Sequence, residues 1–232
     1  MTKASKKVAP ADKLEIPAVG DWTFKNKNVA RNFDNHVREQ LPWYDLATGI
    51  VSHVGRHYLP KGGRMYDIGA STGNITRSLE REITSRMIKA MSIDYSMEMA
   101  DLWNGVGSFD IADALTYDYE DYDFAVCFLV LMFLPPAEQR ILVDRLVKRI
   151  REGGALLIFD KTEAPTGYIG TVMHRLTLAG KVANNAPSDE IVAKELSLAG
   201  VQRPINPNAL LTRHHAVEVF RFGEFAGWVI QG

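Results

Sequence analysis

Tyr66-Asp67-Ile68-Gly69-Ala70-Ser71-Thr72-Gly73 sets an acidic residue at the end of a short apolar run and two glycines four positions apart in the turn behind it. Glycine takes turn dihedrals that other residues resist and lets the backbone approach a ligand closely. A strand is predicted over 64–68 before the turn and a helix over 75–83 after it. Asp94 follows the next predicted strand, 88–93, and stands 21 positions beyond Gly73. That is the separation at which an acid meets a nucleoside ribose in doubly wound folds.

Working outward, helix 97–103, strand 109–112, the fully apolar strand 124–129, helix 136–150 and strand 155–159 continue the alternation, with Gly153-Gly154 expected to end the long helix. Short apolar strands separated by helices are the pattern of a parallel sheet covered on both faces, so the fold class is α/β. Further helices are expected at 169–179, at 188–198 and before Val217, then a terminal antiparallel hairpin, 217–222 with 226–230, turning at Gly223-Glu224. Upstream, Val29, Phe33, Val37 and Leu41 recur at helical spacing before Pro42, and a second helix runs over 43–58 to the stop at Pro60-Lys61-Gly62-Gly63.

The turn reads D-x-G-x-x-x-G and lacks the middle glycine of the dinucleotide fingerprint G-x-G-x-x-G. No G-K-S or G-K-T follows, so there is no P-loop. What remains is a ligand with a ribose and no phosphate chain, a description that S-adenosylmethionine meets. Asp67 beside the turn would pair with the amino group of its methionine portion and repel a phosphate at the same place. Asp94 is assigned the two ribose hydroxyls. Tyr95 and Met97 are close enough in sequence to flank the adenine, and Asp113 is placed to accept from the adenine amine. Gly69, Ala70, Ser71, Gly73, Met99, Ala114, Phe128 and Arg31 complete the expected cofactor contacts.

With 232 residues, 27 basic against 28 acidic side chains, 46% hydrophobic residues and one cysteine, the chain is expected to form a single globular domain rather than a polycationic or disulfide-stapled one. Residues 1–18, rich in lysine, alanine and proline, are expected to be a flexible tail, and 19–232 one domain made of helices over 19–60 and an α/β core over 64–232. No apolar run has the length of a signal peptide or a membrane span, so a cytoplasmic protein is expected. The six histidines are read as showing neither H-x-x-x-H nor H-E-x-x-H spacing, and His214-His215 cannot both face one metal easily, so no metal is expected.

Methyl transfer from a sulfonium asks mainly for alignment of the acceptor and exclusion of water. His36, Tyr44, Lys161 and His174 are the candidate catalytic residues, Lys161 and Arg31 also being able to neutralise an acidic substrate. Trp22, Phe24, Trp43 and Tyr44 either wall the sulfonium or staple the N-terminal helices to the sheet. Cys127, inside an apolar strand and lacking a preceding proline, reads as a buried thiol. A small acceptor is favoured over nucleic acid, since only the tail, Arg213, His214, His215 and Arg221 hint at a basic surface.

The chain resembles the class I S-adenosylmethionine-dependent methyltransferases, and among them the carboxy-S-adenosylmethionine synthases of the wobble-uridine tRNA modification pathway. The likeness lies in Gly20-Asp21-Trp22-Thr23-Phe24, Val29-Ala30-Arg31-Asn32-Phe33, the 66–73 turn, Ser92-Ile93-Asp94-Tyr95-Ser96, Gly153-Gly154-Ala155-Leu156-Leu157, Asp160-Lys161 and Met173-His174. It implies a Rossmann-like class I methyltransferase fold: a mostly parallel seven-stranded sheet with a C-terminal antiparallel hairpin, under N-terminal lid helices, in a dimeric protein. Those synthases act on S-adenosylmethionine and prephenate and hold the product carboxylate with an arginine of a late-helix Lys-Arg pair. The corresponding place here reads Lys194-Glu195, and an acid there is expected to disfavour a bound carboxylate. Methyl transfer to a small or nucleotide-bearing acceptor is therefore the leading expectation. Carboxy-S-adenosylmethionine synthesis and a catalytically silent cofactor-binding interaction protein are the alternatives.

Overall fold

A computed structural model describes the backbone of residues 27–232 and the side chains from Asp34 onward. The 1–18 tail, Trp22 and Phe24 lie outside the described residues, as does the side chain of Arg31. Seven strands form one sheet in the order β3-β2-β1-β4-β5-β7-β6. The strands are β1 (Arg64–Ile68), β2 (Lys89–Asp94), β3 (Ser108–Ile111), β4 (Tyr122–Phe128), β5 (Ile150–Lys161), β6 (Val217–Phe222) and β7 (Phe225–Gln231). The first five are joined in parallel, while β7 runs antiparallel to both β5 and β6. The chain order reverses between β1 and β4, and doubly wound sheets hold ligands in the crevice opened at such a point, beyond the carboxyl ends of the strands.

Residue alternation along β4 builds a core on each face of the sheet. Phe124, Val126 and Phe128 join Val51, Leu79 and Leu157 on one side. Ala125 and Cys127 join Leu142, Leu146, Leu156 and Trp228 on the other. Complete burial of a side chain of this size contributes about 1.5–3 kcal/mol, so both faces are strongly held.

The helices are α1 (Lys27–Gln40), α2 (Tyr44–Tyr58), α3 (Asn74–Ser78), α4 (Glu80–Ser85), α5 (Met97–Ala100), α6 (Pro136–Val147), α7 (Tyr168–Ala183), α8 (Ser188–Ser197) and α9 (Pro207–Leu211). Of the first two helices, α1 lends Val37 and Gln40 to the wall of that crevice. Ala47 and Val51 of α2 are fully buried, and Tyr58 stacks on Phe124 at 6.4 Å, which makes α2 a core helix. Trp43 packs on Phe225 and Phe220 at centroid distances of 4.9 and 5.4 Å, so it staples the helix pair to the hairpin.

Several boundaries differ from the sequence expectation. The helix expected over 75–83 breaks into α3 and α4 around Leu79, whose side chain is buried in the core. Helix 97–103 is cut to the single turn of α5. Gly153-Gly154 does not end a helix; α6 stops at Val147, and β5 already begins at Ile150. The two glycines sit where the β4–β5 register shifts, and Gly153 takes φ 75°, so glycine there accommodates an irregularity in a strand.

Candidate functional site

The strand ends frame a cavity of about 520 Å³ between the β1, β2 and β4 loops below and α1, α7 and α8 above. Its floor is the turn quoted at the outset. Gly69, Ser71 and Gly73 all take positive φ, at 67°, 49° and 90°. The Gly69 and Ala70 amides both donate to the Ile93 carbonyl, at 2.8 and 3.0 Å, which pins the turn to the end of β2. A Cβ on Gly69 would lie 2.4 Å from Val130, and one on Gly73 only 2.6 Å from the Gly105 backbone. Gly73 thus serves a backbone crossing and is not part of the cavity lining.

Asp94 is fixed by the same turn. Its Oδ2 accepts from the Ser71 amide and its Oδ1 from the Ser96 amide, each at 2.9 Å. Burial raises its pKa, and the Ser96, Ser71 and Tyr95 amides pull it back. A carboxylate has about four acceptor positions, so the three amides leave it some accepting capacity toward the cavity. Asp67 is deeper, 1% exposed, and its Oδ2 has no hydrogen-bond partner. Burial, and after it the charge of Asp94, pushes Asp67 up to about 7.

Of the residues expected from the sequence, Tyr44, Lys161, Asp67, Gly69, Ala70, Ser71, Asp94, Tyr95, Asp113, Ala114 and Phe128 line this one cavity. Tyr44 meets Phe128 edge-on at 5.5 Å. Asp113 Oδ1 accepts from the Leu115 amide at 2.8 Å, a turn-capping bond that leaves its other oxygen for a ligand. Met99 is buried beneath the turn, where its sulfur accepts from Ser71 Oγ at 3.4 Å, and Met97 is 63% exposed and off the cavity. His174 also lies off the lining, with Nδ1 3.2 Å from Glu224. His36 is one contact removed, its Nε2 2.7 Å from Lys194 Nζ.

The far end of the cavity holds residues that the sequence did not single out as a group. Lys161, Lys181, Lys194 and Glu195 all line it. Lys181 Nζ donates to Glu195 Oε1 at 2.7 Å, and Lys161 Nζ lies 3.8 Å from Oε2. Burial by itself would raise the Glu195 carboxyl, but Lys161 and Lys181 outweigh it and hold the group below its usual range. Glu195 is therefore not the unmatched acid that its place beside Lys194 suggested: Lys161 and Lys181 pair with it, and Lys194 adds a third lysine to this end. Burial, then the neighbouring Lys181, lowers Lys194 to about 8.

Two latches tie α1 to the turn. Thr72 Oγ1 donates to Asp34 Oδ1 at 2.6 Å, and Arg38 Nη2 donates to Asn74 Oδ1 at 3.2 Å. The opposite wall depends on Asp160, which accepts from the amides of Leu131, Lys161 and Met132 at 2.7, 2.8 and 3.2 Å. Stranding two buried amides and one part-buried amide in Asp160→Ala is expected to lower the unfolding free energy by about 3 kcal/mol. A urea midpoint equal to that of the wild type would contradict this role.

Elsewhere, Arg213 and His214 engage Asp144, and Arg221 pairs with Glu218. These ion pairs engage three of the four basic residues named as hints of a nucleic-acid surface. The reading that no H-x-x-x-H spacing is present is corrected: His53 and His57 form such a pair on α2, with rings 5.0 Å apart. Among the described residues, however, no group of three metal-ligating side chains converges. None of the described helices is long and apolar enough to cross a membrane.

Comparison with known proteins gives three findings. Residues 66–158 match the family model described as a methyltransferase domain. A carboxy-S-adenosyl-L-methionine synthase from Staphylococcus epidermidis is 25% identical over 189 residues, covering 79% of this chain and 82% of the relative. Among solved structures, an O-methyltransferase family protein from Burkholderia thailandensis aligns with TM-score 0.59 at 14% identity, over 89% of this chain and 60% of that one. Magnesium protoporphyrin IX methyltransferase from Synechocystis PCC 6803 with bound S-adenosylhomocysteine aligns at 0.52 and 15%, over 93% of this chain and 90% of that one.

Proposed function

We propose that this chain, by its domain and fold an S-adenosylmethionine-dependent methyltransferase or a related transferase, acts on a small acceptor that carries a carboxylate. The observation that carries this reading is the excess of lysine over glutamate at the cavity end away from Asp94. A buried positive cluster is costly until an anion joins it, and a carboxylate accepts from several ammonium groups at once.

The residues fit the cofactor. Asp94 keeps acceptors for a ribose diol, and the orphaned Oδ2 of Asp67 suits an ammonium. A phosphate chain against those two acids would be repelled. When bound, the cofactor supplies a methyl group on a positively charged sulfur. The protein's share is alignment and dehydration: the turn and Asp94 seat the nucleoside, Lys161 and Lys194 orient the acceptor carboxylate, and α1 closes above.

A second reading, carboxy-S-adenosylmethionine formation from prephenate, is favoured by the same lysines together with the name of the Staphylococcus epidermidis relative. Incubating the protein with S-adenosylmethionine, with and without prephenate, and weighing the products separates the two. A carboxylated sulfonium selects the second reading, and S-adenosylhomocysteine formed with a carboxylate acceptor selects the first. Neither product across a panel of small acids would remove both.

Lys194→Met supplies an independent check. It takes away a desolvated cation that Lys181 already opposes, so the fold should tolerate it. We expect kcat/KM for the carboxylate substrate to fall by about tenfold or more, with S-adenosylhomocysteine affinity within about twofold of wild type. Equal loss in both quantities would assign Lys194 to the fold and not to the acceptor.

A further inference from the structure

Gln40 ends α1 as part of the cavity wall, 2% exposed, yet neither its Nε2 nor its Oε1 has a hydrogen-bond partner. A side-chain amide in that position has no protein partner for its donor or its acceptor, and buried polar groups of native structures are nearly always hydrogen-bonded, so a ligand or an ordered water is called for there.

Its neighbours indicate the chemistry. His36 is one helical turn earlier and touches Lys194 Nζ at 2.7 Å. Tyr44 is four residues later, past the Pro42 turn, near enough to Asp67 to feel its charge. Gln40 thus shares one cavity with the lysine cluster and with the Asp67 carboxyl. An amide offers a donor and an acceptor side by side. Its complement is an acceptor with a donor beside it, which a carboxylate provides when the adjoining carbon bears a hydroxyl or an ammonium.

We propose that Gln40 is a specificity-determining residue that reads such a group, Nε2 donating to a carboxylate oxygen and Oε1 accepting from the adjoining hydroxyl or ammonium. Two sources have this chemistry, the methionine end of the cofactor and a 2-hydroxy acid acceptor. The inference rests on the reading above, in which the cavity takes S-adenosylmethionine and a carboxylate.

Gln40→Leu keeps the volume and removes the amide. Calorimetric titration of the full chain would use two probe pairs: S-adenosylhomocysteine against 5′-methylthioadenosine, which lacks the amino-acid end, and, with S-adenosylhomocysteine present, phenyllactate against 3-phenylpropionate, which lacks the hydroxyl. We expect the wild type to prefer the first member of at least one pair by about tenfold or more, and Gln40→Leu to erase that preference while leaving the second member within about twofold. The thermal midpoint of the unliganded variant should equal or exceed that of the wild type, since an unsatisfied amide has been removed.

Loss in the nucleoside pair assigns Gln40 to the methionine end, and loss in the acid pair assigns it to the acceptor. Preferences unchanged in both pairs would overturn the proposal. So would a lowered midpoint with all probes uniformly weakened, the mark of a packing role. A wild type that fails to bind S-adenosylhomocysteine at all would instead sink the functional reading underneath.

Discussion

Asp94→Ala is expected to weaken S-adenosylhomocysteine binding by about 100-fold to 10,000-fold. Two ribose hydroxyls donating to one carboxylate contribute about 1.5–3 kcal/mol each, and each 1.4 kcal/mol is a factor of about ten in affinity. The side chain also accepts from the Ser71 and Ser96 amides, so its removal loosens the turn that forms the cavity floor. Asp94→Asn keeps the shape and part of the accepting capacity and should lie between the two. Titration calorimetry reads all three proteins. Alanine binding within about twofold of wild type would place the ribose elsewhere.

The second large effect is a pH dependence set by Asp67. Its pKa is raised from 3.8 to about 7, chiefly by burial and then by Asp94. A raised carboxyl contributes stability that is complete below its unfolded value and is lost as pH rises through the folded one, so this group makes the unliganded protein less stable at pH 8 than at pH 5 by linkage. Cofactor binding runs the opposite way, because only the ionised carboxylate attracts an ammonium. Affinity for S-adenosylhomocysteine should therefore rise with pH, by about tenfold per unit below pH 7, and level off above it. Asp67→Asn should bind weakly with a flatter profile over the same range and should lose its own share of the alkaline loss of stability, while the share of Asp160, which burial also raises to about 7, remains. A wild-type affinity that does not change between about pH 5.5 and 7.5 would mean that Asp67 does not face the amino group.

What the sequence could reveal depended on how local each signal was. The turn, Asp94 and Asp113 were legible because each is fixed by its place at a strand end, and strand ends in a parallel sheet share one edge. The terminal hairpin was legible for a similar reason, since the turn glycine lies between two apolar runs. The lysine end was not. Lys161 ends β5, Lys181 lies in α7 and Lys194 in α8, and only the packing angles of those helices bring them to one glutamate. Read as an adjacent pair, Lys194-Glu195 did not reveal that Glu195 meets Lys181 from the neighbouring helix rather than its chain neighbour.

Gly153-Gly154 shows a different limit. A glycine pair after an amphipathic helix has the form of a helix stop, and the same residues suit a strand irregularity with positive φ. The partner strand decides between them, and it is distant in sequence. Gln40 carried no signal at all, since nothing in a heptapeptide around it says that its amide will be buried without a partner. The pairing of His53 with His57 was readable as a spacing, and its two rings gather no third ligand from the described residues.

Paired titrations of the wild-type protein with S-adenosylhomocysteine and with NAD bear most directly on what the cavity is for. Both ligands carry an adenosine, and they differ in whether a pyrophosphate or a thioether-linked amino acid extends toward Asp67. We predict one-site binding of S-adenosylhomocysteine and no measurable heat from NAD. Heat from NAD, with none from S-adenosylhomocysteine, would contradict the account.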